Sequence, residues 1–321
     1  FGFYCIELVS EQVSEPERPE MAYVVGGMGA DGRRLSSMER YDASSGQWTA
    51  MAAMSTARIA AGACAVAGGL YITGGRDVRN VDLSSVERYD PLSDAWSAVA
   101  PMPSGRLSHA AVAVGSAMYV LGGHDGEVTA SVLKFESAQN TWSQVAPMPE
   151  ARYVVAACAI GGDIYVFGGF NGQREAQATV VKYDTIANDW AVLPPMPLAC
   201  SYHSASMMDG LVYIVGGGEN YRCVLSFDPA LGTWRTLADT LVRRKYNATY
   251  VLGGHLYAAG GLAQLSSVER YDPASNTWTA DVADMLESRS MFGAVTIGSS
   301  GPAEEQDLFD SLIAKASRGR Q

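Results

Sequence analysis

The sequence predicts a six-bladed β-propeller, and three observations predict it. Six tryptophans, Trp48, Trp96, Trp142, Trp190, Trp234 and Trp278, recur at spacings of 48, 46, 48, 44 and 44 residues. An aromatic stands seven residues before each one: Tyr41, Tyr89, Phe135, Tyr183, Phe227 and Tyr271. A Gly-Gly pair ends a strand-like run in each unit, as in MYVLGG and IYVFGG. Self-similarity at a period of this size signals a ring or solenoid of supersecondary units. Runs of four to seven apolar and β-branched residues, bounded by Gly, Asp and Asn, read as hairpin strands. Four such runs per unit, six times over, describe propeller blades.

The elements of a unit follow in order. The first strand comes after a basic slot, as in HAAVAVG (109–115), and a small turn leads to the second, which ends in Gly-Gly. The third ends at VERYD or its equivalent, and a polar turn leads to the fourth, centred on Trp. Nearly all the length variation falls between the second and third strands. The chain enters at Ala22–Gly27 as a second strand without a first, and leaves after Arg289 with SMFGAVTIG (290–298), a first strand without a second. Placing the last strand in the first blade closes the ring. One domain, residues 21–298, therefore accounts for most of the 321 residues. Residues 1–20 are expected to be an acidic linker or remnant. The chain begins with Phe rather than Met, which suggests upstream sequence, and residues 299–321 form a tail with a predicted helix over 302–318.

The units resemble Kelch repeats. The resemblance rests on the double Gly, the aromatic, the Trp seven residues later and the Met-Pro-x-x-Arg segment, and VERYDPLSDAWSAVAPMPSGR (86–106) is a close example. Similarity to the Kelch domains of BTB–Kelch adaptors spans residues 21–298. It implies a partner-binding module, most like the substrate receptor of a cullin–RING ubiquitin ligase, with a cullin reached through an upstream BTB domain. A stand-alone Kelch scaffold for cytoskeletal or signalling proteins is the alternative. A sugar-acid epimerase is a further one, since Arg, His and Glu near a channel could bind a carboxylate sugar.

Composition narrows the function. The formal charge is −11, which argues against a general nucleic-acid binder. Five scattered cysteines without a CxxC pair argue against a disulfide framework or zinc site, and suggest a reducing, cytoplasmic setting. The longest apolar stretch, Ile59–Ile72, is too short to span a bilayer. No motif for a cofactor, metal or catalytic triad stands out, so no enzyme activity is expected.

Strand direction places the connection between blades and the loop after each Gly-Gly pair on one face, called X here. Ten or eleven residues after each Trp come Arg58, Arg106, Arg152, Cys200, Arg244 and Arg289. The five arginines are expected to ring the channel mouth on X and receive an acidic peptide, because a guanidinium fork suits carboxylates. Tyr153, Tyr202, His203 and Tyr246 follow this slot closely. Arg76, Phe170 and Tyr221 stand in the variable loops, where exposed Arg and aromatic side chains suit an interface. The alternative for each arginine is a local pair that ties neighbouring blades together.

Overall fold

The computed structural model describes residues 20–218, 221–261 and 265–298. The predicted linker, the C-terminal helix and the Glu219–Asn220 part of the fifth variable loop lie outside them. Six four-stranded antiparallel sheets form the ring, and no helix occurs among the described residues. Blade two is representative, with strands Gly62–Val66, Gly69–Thr73, Val86–Asp90 and Ala95–Val99. Blade one takes its innermost strand, Gly293–Ile297, from the far end of the chain; it pairs with Met21–Val25 in the register Met21↔Ile297 to Val25↔Gly293. The predicted closure is observed. One element was not anticipated: Arg58–Ile59 pairs with Arg76–Asp77 in a small two-stranded bridge on the X face.

Blades are joined by repeated polar clips at the rim. Each Trp pairs across its hairpin with the recurring aromatic, as in Tyr41↔Trp48 and Tyr89↔Trp96. Its indole N–H then reaches back to a carbonyl of the preceding blade: Trp96 to Ala52 at 2.8 Å, Trp142 to Ala100 at 2.8 Å, Trp278 to Ala238 at 3.0 Å. At four seams, Asp94, Asn140, Asn188 or Asn276 also accepts the backbone N–H of that same preceding residue, Ala52, Ala100, Ala146 or Ala238. The indole therefore has a partner as well as a packing site, which is what a half-buried Trp requires.

The Gly-Gly pairs end their strands in left-handed backbone, which favours Gly. Gly123 has φ +96°, and an added Cβ would lie 2.7 Å from the Leu107 carbonyl oxygen and 2.8 Å from the His109 Cβ. Backbone strain and a clash with main chain coincide there. Gly123→Ala should cost about 2–3 kcal/mol of stability, read from a denaturant midpoint.

Candidate functional site

The X face carries a ring of six residues in left-handed backbone conformation, two places after the arginine slot. They are Ala60 (φ 54°), Ser108 (54°), Val154 (55°), Tyr202 (61°), Tyr246 (60°) and Met291 (53°). Left-handed backbone is uncommon for side chains other than Gly, and it clusters where ligands are gripped. Neighbours in this ring are linked through their main chains: Ser108 N–H donates to Ala60, Val154 to Ser108, Tyr246 to Tyr202, Met291 to Tyr246 and Ala60 to Met291, at 2.8–3.1 Å.

The five arginines do not line the mouth. Arg58, Arg106, Arg152, Arg244 and Arg289 are 0–2% exposed and rank among the largest fully buried side chains. Arg58 shows the reason. Its main chain bonds to blade one, through Leu35 and Gly27. Its guanidinium bonds to blade two: the Gly74 carbonyl at 2.9 Å, the Ser85 carbonyl at 3.2 Å and the Glu87 carboxylate at 2.5 Å. Arg244 does the same with Gly260, Ser267 and Glu269, and Arg289 with Gly26, Ser37 and Glu39. Arg106 uses Gly122, Ser131 and Asp125; Arg152 uses Thr179 and Glu150. The loops around each Gly-Gly pair leave carbonyls without strand partners, and a five-donor side chain satisfies several at once. Burial alone lowers the basicity of Arg58, Arg106, Arg152 and Arg244, and the facing carboxylates oppose that shift. The expected basic mouth is thus replaced by internal ties between blades.

His203 is also buried, at 7%, packed against Gly217 beneath the surface rather than on it. His109, at the same repeat position, pairs through Nε2 with the Thr73 hydroxyl at 2.8 Å. Desolvation holds the His109 pKa down to about 3 and the His203 pKa to about 4. Both rings stay neutral when folded but take up a proton below about pH 6.5 when unfolded. Stability is therefore full well above that pH and falls as pH drops, by about 3 kcal/mol between pH 6.5 and 5 from the pair. Denaturant midpoints across this range should show the slope, and His109→Gln with His203→Gln should flatten it.

What the mouth does present is aromatic. Tyr153 and Phe170 lie 5.5 Å apart between ring centroids, Phe170 and Tyr202 5.1 Å, and Tyr202 and Tyr246 4.2 Å. This continuous run crosses blades four, five and six, while the corresponding ring positions elsewhere are Ala60, Ser108, Val154 and Met291. Lys245 sits among three of the rings, its Nζ 4.3 Å from the Tyr202 centroid, 5.1 Å from Tyr221 and 5.2 Å from Tyr246. Sequence reading missed Lys245, although its place between Arg244 and Tyr246 was a usable signal. A cavity of about 790 Å³ opens beside the run, lined by Arg76, His124, Glu127, Tyr153, Phe170 and Tyr202 among others. Both types of loop assigned to X from strand direction meet there. Arg76 is held by Asp82 at 2.6 Å, whereas the exposed Arg174 makes no ion pair among the described residues. Tyr153, Tyr202, Tyr246, Phe170, Tyr221 and Arg76 thus gather at the mouth; the arginine ring and His203 lie below it.

Comparison with known proteins bears on the repeat itself. The family described as the KLHDC2/KLHL20/DRC7 Kelch-repeats domain matches residues 16–149 and 108–299. The chain belongs to the Kelch-repeat family. A solved structure titled "Structure of YjhT" superposes on this Kelch propeller with a TM-score of 0.69 at 17% identity, covering 82% of this chain and 94% of that one. That likeness extends to the fold. No match was found among curated proteins. The Kelch fold suggests a protein-binding module. No helix among the described residues is long and apolar enough to cross a membrane.

Proposed function

We propose that this Kelch propeller recognises a protein partner at its X-face mouth, in the manner of a substrate receptor of a cullin–RING ubiquitin ligase. The carrying observation is the aromatic run Tyr153–Phe170–Tyr202–Tyr246 beside an open cavity. Rigid aromatic rings that remain partly exposed in a concave site are typical anchors of an interface. The charge around them favours an acidic segment: Lys245 among the rings and Arg174 at the cavity make no ion pair among the described residues, so a carboxylate finds them available. The proposed acidic preference thus rests on these residues instead of on the buried arginines. The cytoplasm suits a protein whose four described cysteines are buried and unpaired.

Peptides selected from a random display library on the wild-type protein, then synthesised, provide the test. Phe170→Ala with Tyr202→Ala should weaken their binding at least about 30-fold, as loss of two hot spots does, with the thermal melt retained. Unchanged affinity would move the site elsewhere. Co-purification of a cullin with the full-length protein tests the ligase role separately.

A further inference from the structure

The six seams between blades are not equivalent, and four differences fall on one of them, between blades four and five. The buried tie is absent there. Cys200 stands in the arginine slot, Cys223 takes the place of Ser85 and Ser267, and Leu225 that of Glu87 and Glu269. The rim clip is absent too, as it is at the closing seam, where Gly46 stands in the clip position. Pro194 has no N–H to offer, and Gly232 occupies the position of Asn188 and Asn276. The indole bond across this seam, Trp234 to Pro194, is 3.3 Å, the longest of the six. Finally, the main-chain ring at the mouth is interrupted here. The other five neighbours are joined, but no hydrogen bond among the described residues connects Tyr202 N–H to the Val154 carbonyl.

The aromatic run crosses this same seam. Tyr153 and Phe170 belong to blade four and Tyr202 to blade five, with the Phe170–Tyr202 contact spanning the break. The cavity is lined from both sides of it. Among the described residues the Tyr202 amide and the Val154 carbonyl thus have no main-chain partner, on the two sides of the seam that the Phe170–Tyr202 contact crosses. Main-chain groups in this arrangement are matched by an extended chain, which carries both complements at each residue.

We infer that the seam between blades four and five is the docking line of an extended acidic peptide segment, whose main chain completes the mouth ring by pairing with the Val154 carbonyl and the Tyr202 amide. Aromatic contact from Phe170 and Tyr202 flanks that pairing, and Lys245 and Arg174 stand within the same cluster of loops to meet acidic side chains. This rests on the site proposed above, and adds to it the place and the backbone chemistry.

Residue-resolved amide exchange on the whole protein tests it, with the library-selected peptides as probe. In the free protein the Tyr202 amide should exchange at least about tenfold faster than those of Ser108, Val154 and Tyr246, which are bonded in the ring. Saturating peptide should slow Tyr202 by a similar factor and leave the other three unchanged. N-methylation along the peptide, one residue at a time, should reveal a single position at which affinity falls at least tenfold. If the peptides depend on Phe170 and Tyr202 but leave Tyr202 exchange unaltered, the docking line is overturned and the aromatic site stands. If they bind equally well to Phe170→Ala with Tyr202→Ala, both fail.

Discussion

Arg289→Ala should destabilise the Kelch propeller by about 3–5 kcal/mol, the range for removing one partner of a buried ion pair. The Arg289 head bonds to the Gly26 and Ser37 carbonyls at 2.8 and 3.0 Å and to Glu39 at 2.8 Å. Its removal strands two carbonyls and leaves Glu39, itself 2% exposed, a buried charge without its counter-ion, held only by the Leu286 and Glu287 amides. The seam affected is the one that closes the ring. Arg244→Ala should behave alike through Glu269, while Arg174→Ala, on an exposed loop, should stay within about 0.5 kcal/mol of wild type. A paired replacement, Arg289→Met with Glu39→Leu, should recover much of the loss, because apolar side chains remove the desolvation cost together with the attraction. Urea denaturation of the four variants decides it. If Arg289→Ala left the midpoint unchanged, the arginine would have no role in tying the blades.

Deleting residues 293–297 should abolish the cooperative melt altogether. The strand Gly293–Ile297 pairs along its whole length with Met21–Val25 and packs beside the first strand of blade two, where the Gly293 α-carbon leaves room only for the Ala63 methyl. Without it, Ala22 and Val24, both 0% exposed, become part of an open sheet edge, and the first blade loses its inner wall. That loss should exceed the roughly 5–15 kcal/mol by which a domain is stable in total. A synthetic peptide of residues 288–298, added in excess, should restore a melt whose midpoint rises with peptide concentration. A cooperative melt in the deletion variant without peptide would show that the ring holds without its closing strand.

The blade count, the faces and the closure were legible because six copies of one unit average out local ambiguity. A single IYVFGG could be many things; six Gly-Gly pairs at matched distances from Arg and Trp could not. The arginines were misplaced because spacing gives the slot of a residue and not the direction of its side chain. A clue was available. Glu39, Glu87 and Glu269 recur two residues after Ser37, Ser85 and Ser267, and in each of those blades the arginine slot is filled by Arg. A matched Arg, Ser and Glu set within one repeat is the mark of an internal tie. The same comparison would have shown blade five losing all three to Cys200, Cys223 and Leu225. The aromatic run was only half legible: Tyr153, Tyr202 and Tyr246 stand in or beside one repeating slot, but Phe170 reaches them from another loop, and that meeting is tertiary.

Closure by the two ends of the chain also sets the timing of synthesis. Met21 waits for Ile297 as its partner. A ribosome adding about 5–20 residues per second takes roughly 14–55 s to make the intervening chain. Through that interval blade one lacks its inner strand, with Ala22, Tyr23 and Val24 open to other chains. The nascent protein is thus most exposed to mispairing with neighbours on the same message, and a chaperone that shields this first hairpin would act where the hazard lies.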